Sequence, residues 1–314
     1  MTSSNTPQAT SETASRPDRI RVERVTFASS DESLVGDLYL PAAASDGPRP
    51  AVVVTGAWGT VKEQMAAGYA REMSARGFIA LAFDFRGWGQ SGGRRRSMED
   101  PFAKAADIVA AADFLATRSD VDPDAIVGLG ICASAAYLAT AATRTARITS
   151  LALVAPALPS RETVVETLGG QQAAEALLDM AQAAEAEYER TGHERLVPCV
   201  PESADAPAPG ADYYTNPNRG MIPEWDNTFN LASWTRWLEY DAQAAVDGLR
   251  QPLFVMHSDA AASPESVREF VAKVPGRVDQ IWLDDVSQFD FYDQPGLVKV
   301  ASDAAARHFL STTR

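Results

Sequence analysis

The sequence predicts an α/β fold, in which a doubly wound and mostly parallel sheet carries an inserted helical lid. Short apolar runs recur along the chain, as in strands buried on both faces of a sheet; they span residues 51–55, 78–83, 125–131 and 148–154. Helical segments separate these runs, and this alternation is typical of parallel sheets covered by helices on both faces. The alternation stops after Ala155 and resumes at Pro252, which predicts an insertion.

Each predicted element has its own sequence signal. Residues 20–28 and 33–40 alternate apolar and polar side chains, which predicts an antiparallel pair of strands. Asp100 and Pro101 predict the cap and first turn of a helix, and Gly77 ends another. The remaining predictions are helices at residues 62–76, 100–117, 132–143, 160–190, 264–273 and 296–310, and strands at residues 252–257 and 280–283.

We expect the chain to divide into a tail, a core and a lid. The tail, residues 1–18, is rich in Ser, Thr, Ala and Pro and lacks the apolar region of a signal peptide, so we expect a cytoplasmic protein with a disordered start. The core comprises residues 19–156 and 246–314, and residues 157–245 form the lid. The lid follows the carboxyl end of a strand, the edge where ligands bind in doubly wound sheets.

The charge and cysteine content exclude several classes of function. The 314 residues include 28 Lys and Arg against 42 Asp and Glu, giving a net charge of −14, which disfavours nucleic acid and anionic membrane surfaces as partners. Two cysteines build neither a disulfide framework nor a thiolate zinc site. We expect no metal and no cofactor. The oligomeric state stays open, a homodimer being one option.

A nucleophile candidate lies between a predicted buried strand and a helix of small residues. Gly130, Cys132 and Ser134 follow the spacing of a nucleophile elbow, where small neighbours let the backbone fold back and expose the middle side chain. The start of the helix would also stabilise a thiolate. Cys132 is preferred because Gly130 directly follows the apolar run. In a second frame Ser134 is the nucleophile, and the structural alternative is a small buried cysteine.

From about residue 20 onward the chain resembles the α/β-hydrolase superfamily. Within it, the chain is similar to the dienelactone-hydrolase-like group with cysteine at the elbow. The stretches that carry the likeness, beside the elbow, are GDLYLP at residues 36–41, DFRGWGQSG at residues 84–92 and DFYD at residues 290–293. The resemblance implies an oxyanion hole made by the Ala133 amide and by an amide of the segment holding Ala57 and Trp58.

The catalytic histidine of that superfamily is missing from its expected place. The loop after the last strand carries Gln288 where the resemblance implies histidine, and glutamine does not shuttle protons near neutral pH. His193, in the lid, is a candidate base if the lid folds over the site. His257 is interpreted as supporting the backbone at a strand end, and His308 as a packing residue on the last helix.

For the other charged and aromatic candidates the sequence allows two interpretations each. Asp259 either orients the group at position 288 or caps a turn, and Glu63 either contacts the thiol or is a first-turn acid. Three tryptophans of the lid either roof an apolar pocket or pack passively. They are Trp225, Trp234 and Trp237. The basic run at residues 94–96 either grips a substrate carboxylate or is a solvated loop.

Three functions follow from these observations. In the first, Cys132 attacks the ester, lactone or thioester carbonyl of a small molecule, with a backbone oxyanion hole; its weak point is deacylation, because Gln288 is no base for water. In the second, the oxyanion hole supports an elimination of a β-leaving group or a cyclisation on a polyketide-like compound. In the third, the protein kept the fold but is a binding scaffold without catalysis.

Overall fold

The computed structural model describes residues 20–43, 45–200 and 212–313. The predicted tail, residues 1–18, lies outside the described residues. Ten strands are found in the described part of the chain: β1 Arg21–Ser29, β2 Glu32–Leu40, β3 Arg49–Thr55, β4 Ile79–Phe83, β5 Val121–Ile131, β6 Ile148–Val154, β7 Leu196–Pro198, β8 Thr228–Asn230, β9 Leu253–Ser258 and β10 Val278–Leu283.

Eight of these strands form one sheet in the order β1-β2-β4-β3-β5-β6-β9-β10. β2 pairs antiparallel with both β1 and β4, and the pairs from β4 to β10 are parallel. The predicted fold class is therefore confirmed. Because β3 and β5 lie side by side near the middle of the sheet, their carboxyl ends bring the loop after Thr55 next to the turn after Ile131.

Helices cover both faces of this sheet. The described helices are α1 Met65–Ala75, α2 Pro101–Ala116, α3 Ala133–Ala142, α4 Arg161–Thr167, α5 Gln171–Thr191, α6 Asp212–Thr215, α7 Ser233–Glu239, α8 Pro264–Lys273, α9 Asp290–Asp293 and α10 Pro295–Thr312. The core on one face is formed with α2, α3 and α8, and the core on the other with α1 and α10. Asp100 caps α2 as predicted, since its carboxylate accepts from the amides of Phe102 and Ala103 at 2.9 and 3.0 Å.

The residues between β6 and β9 hold α4 to α7, the β7–β8 pair and a 3₁₀ helix, Ala242–Asp247. The predicted helix at residues 160–190 is broken into α4 and α5 at Gly169 and Gly170, both with positive φ. The β7–β8 pair was not predicted, because a three-residue strand is too short to display an alternating pattern.

The basic run at residues 94–96 attaches α5 to the core. The Arg95 guanidinium lies 4.1 Å from the ring centre of Tyr188, and it pairs with Glu185 and Glu194. Arg96 donates to the carbonyls of Ser91 and Gly89. Arg95 and Arg96 are therefore engaged in contacts within the protein, and neither a substrate grip nor a solvated loop describes these two residues.

Candidate functional site

The turn from β5 to α3 has the strained geometry of a nucleophile elbow. Cys132 adopts φ 57° and ψ −124°, a conformation that L-residues rarely occupy and that marks functional sites. Gly130 permits the tight turn, because a Cβ atom there would lie 2.8 Å from the Cα of Ala135. Cys132 therefore stands at the carboxyl edge of the sheet, where it packs against the cores of both faces.

In the part of the chain that the structure describes, four hydrogen-bond donors face the sulfur of Cys132. They are the backbone amides of Trp58 and Ala133, the hydroxyl of Tyr292 and the side-chain amide of Gln288. Burial raises the pKa of the Cys132 thiol, and these four donors act against burial by lowering that pKa. Burial is the larger effect, so the thiol stays protonated until a reaction removes its proton.

Two peptide groups of the loop after β3 have hydrogen bonds that bear on the oxyanion hole. The Ala57 amide points to the sulfur of Met65 at 3.4 Å, so of the two predicted donors only Trp58 faces Cys132. The Ala57 carbonyl accepts from the Thr60 hydroxyl at 2.7 Å. Since that carbonyl belongs to the same planar peptide as the Trp58 amide, the bond to Thr60 fixes the direction of the Trp58 N–H.

Gln288 lies in the site as a buried hydrogen-bond donor. Its Nε2 donates to the Ala155 carbonyl at 2.9 Å and lies 3.3 Å from the Tyr292 hydroxyl. Its Oε1 accepts from the Ala262 amide at 3.1 Å. These bonds hold the NH₂ group toward Cys132 and provide no atom that takes a proton near neutral pH.

Tyr292 is a site residue that the sequence reasoning did not single out. Its hydroxyl faces Cys132, and its ring packs on Tyr213 and Tyr214 at 5.1 and 6.5 Å between ring centres. Burial raises the pKa of this phenol well above its usual value, so it stays a donor. The sequence signal that could have identified Tyr292 was its spacing. It follows Gln288 by four residues, which places both side chains on one face of a helical turn.

The two predicted carboxylates lie outside the set of groups that face Cys132. Asp259 is half exposed and binds Arg268 and the indole of Trp282, and these partners lower its pKa. Glu63 pairs with the buried Lys62 at 2.5 Å and lines a cavity of about 400 Å³ behind Tyr292. The alternative interpretations do not describe these contacts either, because the carboxylate of Asp259 binds two side chains and Glu63 precedes the N-cap of α1, Gln64.

No imidazole is among the groups facing Cys132 in the described residues. His193 is exposed and lies 3.0 Å from Glu187, and His308 is buried 2.7 Å from Asp279. His257 is fully buried beside Trp282, with a pKa lowered by burial to about 4. At that pKa His257 is neutral at physiological pH.

Two of the three tryptophans in the predicted lid contact Trp58. The ring centres of Trp234 and Trp237 lie 6.5 and 6.3 Å from that of Trp58, and Phe229 completes the cluster at 4.8 Å. Trp225 is placed differently, since its indole donates to the Gly59 carbonyl at 2.7 Å. Trp58 therefore directs its backbone amide at Cys132 and packs its ring against aromatic side chains of the insertion.

Ser134, the nucleophile of the alternative frame, uses its hydroxyl in hydrogen bonds within the turn. Ser134 is fully buried, and its hydroxyl bridges the amide and carbonyl of Ile131 at 3.2 and 3.1 Å. Cys199 packs near Gly59, where a Cβ atom would lie 2.4 Å from its sulfur. Burial raises the pKa of Cys199, and among the residues that the structure describes no hydrogen-bond donor acts on that thiol.

Comparison with known families settles the superfamily. The sequence model described as serine aminopeptidase, S33, matches residues 48–284. The chain belongs to the serine aminopeptidase, S33, family. This is an α/β-hydrolase family, so the predicted superfamily is confirmed, whereas the narrower likeness to the dienelactone-hydrolase-like group stays a prediction. The S33 family is named for a serine, and in this chain Cys132 stands at the elbow.

Relatives of this S33 chain include proteins with and without an assigned activity. It is 28% identical over 306 residues to the uncharacterized protein YcjY of Escherichia coli, covering 92% of this chain and 98% of the relative. It is 34% identical to the polyketide transferase claH of Penicillium crustosum, over 40% of this chain and 42% of that one. It is 31% identical to the thiohydrolase aneE of Aspergillus aculeatus, over 44% of this chain and 43% of that one.

Solved structures share the fold of this S33 chain. The hypothetical protein PA2218 of Pseudomonas aeruginosa superposes with a TM-score of 0.81 at 23% identity, covering 98% of this chain and all of that one. The α/β hydrolase GrgF of Penicillium sp. sh18 superposes with a TM-score of 0.78 at 18% identity, covering 94% and 99%. These likenesses extend over the insertion as well as the sheet.

The described residues include neither a candidate metal site nor a candidate membrane span. Within residues 20–43, 45–200 and 212–313, no group of three or more His, Cys, Asp or Glu side chains is arranged to hold a metal ion. In the same part of the S33 chain, no helix has the length and apolar character needed to cross a membrane.

Replacing Tyr292 by phenylalanine is expected to make Cys132 harder to ionise. The variant loses one of four donors that lower the pKa of the thiol, so that pKa rises. The pH profile of Cys132 alkylation by iodoacetamide should therefore shift to higher pH, because the thiolate is the reactive form. Tyr213→Phe, which keeps the packing beside Tyr292, is the control. An unshifted profile in Tyr292→Phe would mean that the hydroxyl does not act on the thiol.

Proposed function

We propose that this protein is a cysteine-dependent acyl-transfer enzyme acting on the ester, lactone or thioester carbonyl of a small molecule. The observation that carries the proposal is the pair of amides, from Trp58 and Ala133, that face the sulfur of the strained Cys132. Two amides converging on one point are the arrangement that stabilises the oxyanion of a tetrahedral intermediate. The S33 family supports an enzyme of the hydrolase fold.

A thioester suits this site best among the three substrate classes. Cys132 is protonated at rest, and no imidazole or carboxylate is among the groups facing it in the described residues. When its sulfur bonds to the carbonyl carbon and the thioester carbon–sulfur bond breaks, the departing thiolate takes the proton that Cys132 gives up. One thiol is consumed and one thiol is released, so the exchange takes up no proton and gives none off overall.

The second half of the reaction favours transfer over hydrolysis. Water needs a base to attack the acyl-cysteine, and Gln288 accepts no proton near neutral pH. An amine or thiol acceptor is a stronger nucleophile, and it returns the proton to the Cys132 sulfur as the acyl group leaves. The relatives named polyketide transferase and thiohydrolase support acyl chemistry of this kind.

The aromatic surface supports a bulky apolar acyl group. Rings of Phe229, Trp234 and Trp237 surround Trp58, whose amide faces the reacting sulfur. Pockets for small molecules are lined by such side chains, with few polar groups placed among them. We therefore propose Trp234 and Trp237 as substrate-binding residues and an extended, polyketide-like acyl chain as the substrate.

A second candidate is a non-hydrolytic lyase or cyclase. It is favoured by the fact that donors alone face Cys132 in the described residues, because an enolate formed during elimination or cyclisation needs donors for its oxygen. In the elimination the proton next to the carbonyl passes to the departing group, and Cys132 forms no bond to carbon. Detection of an acyl group on Cys132 therefore distinguishes acyl transfer from the lyase or cyclase reaction.

The test is a reaction of the protein with an aliphatic acyl thioester of N-acetylcysteamine in ¹⁸O-labelled water, with and without an amine acceptor. We expect intact mass spectrometry to find the acyl group on Cys132 and the product to be mainly the amide. A labelled carboxylic acid as the main product would make the enzyme a hydrolase. Turnover without an acyl-enzyme would favour the lyase or cyclase, and binding without turnover would favour a scaffold.

A further inference from the structure

Glu99 is a buried carboxylate outside the group of side chains that face Cys132. It is fully buried, and so is its partner Lys104, whose Nζ lies 2.7 Å from Glu99 Oε2. The other oxygen, Oε1, accepts from the Tyr137 hydroxyl at 2.7 Å. Burying this ion pair costs free energy unless its remaining hydrogen bonds are well made. The remaining bond goes to the oxyanion loop, residues 56–60.

Glu99 and Trp225 hold the same residue of the oxyanion loop from opposite sides. Oε2 of Glu99 accepts from the Gly59 amide at 3.0 Å, and the Trp225 indole donates to the Gly59 carbonyl at 2.7 Å. Gly59 has φ 66°, and a Cβ atom there would lie 2.4 Å from the sulfur of Cys199. The two bonds therefore hold a loop residue in a conformation that suits glycine alone, directly after Trp58.

We propose that Glu99 and Trp225 are positioning residues for acyl transfer, because they keep the Trp58 amide aimed at the oxygen of the reacting carbonyl. The inference rests on the proposed function and adds to it. Glu99 also donates its own amide to Ser233 at 2.9 Å, and both Ser233 and Trp225 belong to the insertion. The insertion thus sets the geometry of the oxyanion hole, in addition to any contact it makes with substrate.

Trp225→Phe tests this with the loss of a single hydrogen bond. The ring that packs on Tyr214 at 5.4 Å is kept, and the indole N–H is removed. We expect the acylation rate constant of Cys132 with a thioester to fall by about tenfold or more, with the KM nearly unchanged; deleting an oxyanion donor outright costs about 10²–10³-fold, and a loosened donor costs less. Glu99→Gln should show the same pattern.

Alkylation by iodoacetamide separates positioning from general damage. It consumes the same thiol but forms no oxyanion, so its rate should change less than acylation in both variants. Trp282→Phe is the matched control, because it removes a 2.8 Å indole bond to Asp259 at the surface. We expect this control to keep the parent acylation rate within about twofold, as surface substitutions usually do.

The outcomes separate this inference from the proposed function. A parent enzyme that is not acylated overturns the proposed function, and the inference with it. If the parent is acylated and both variants are acylated equally fast, only the inference is overturned. Equal losses of acylation and alkylation, or failure of both variants to fold, would give Glu99 and Trp225 a purely structural role and overturn it too. If only one variant fails to fold, the other decides.

Discussion

Replacing Cys132 by alanine is expected to abolish turnover of acyl thioesters while leaving the protein folded. The substitution removes the atom that would form the acyl-enzyme, and removing the nucleophile of a covalent mechanism costs on the order of 10⁶-fold in rate. The thiol is small and makes no hydrogen bond that the fold requires, since the elbow is held by backbone bonds from Cys132 to Val154 and from Ala157 to Cys132. Steady-state kinetics and thermal unfolding measure the two effects.

Cys199→Ala is the matched control for this experiment. Cys199 is the second free cysteine of the described chain, and no donor acts on its thiol. We expect activity to persist in Cys199→Ala, and iodoacetamide to label the parent protein at Cys132 ahead of Cys199. Full activity in Cys132→Ala would place the chemistry elsewhere, and the fully buried Ser134 would be the next residue to replace.

Replacing Gln288 by histidine is expected to create hydrolysis of simple aryl esters and thioesters. The Gln288 amide faces Cys132, so an imidazole at this position lies within reach of the thiol. It would draw the proton from Cys132 and later activate water for deacylation, a contribution of about 10²–10⁴-fold. Asp259 is bound to Arg268 and does not orient this imidazole, so we expect the lower part of that range.

The pH dependence identifies the new base. Hydrolysis by Gln288→His should rise through a pKa near ~6.5, that of histidine, because the neutral imidazole is the active form. An acyl-enzyme that accumulates in the parent should disappear in the variant. Gln280→His, an exposed position on β10, is the control and should gain nothing. A folded Gln288→His variant without new hydrolysis would mean that position 288 does not serve as the base position of this site.

Sequence reasoning located the sheet and the elbow because both depend on local patterns. Strand β6 and helix α8 have the bounds that their sequences predict, since apolar runs and a proline at a helix start are local signals. Cys132 was found because a strained turn demands small neighbours within two residues of it. Gln288 was found through a family resemblance that extends along the loop after β10.

Glu99 was not singled out from the sequence, and Trp225 was predicted only as a pocket or packing residue, because the roles inferred for both depend on contacts between distant parts of the chain. Glu99 reaches the oxyanion loop across 40 residues, and Trp225 reaches it across 166. No periodicity in the sequence reports such contacts. Asp259 was given two interpretations because a carboxylate after a strand is suited to a triad or to a turn. Its bonds to Arg268 and Trp282, which join it to other elements, were not predictable from the local sequence.

The amides of Trp58 and Ala133 cannot serve the sulfur and a substrate oxygen at once. They point at Cys132 and lower the pKa of its thiol. A carbonyl that takes these donors for its own oxygen deprives the sulfur of part of the stabilisation of its charge. Because the pKa of this thiol is already raised, a further rise lowers the share of thiolate more than it raises the nucleophilicity of each thiolate. Binding of a carbonyl and ionisation of Cys132 therefore compete for the same two amides.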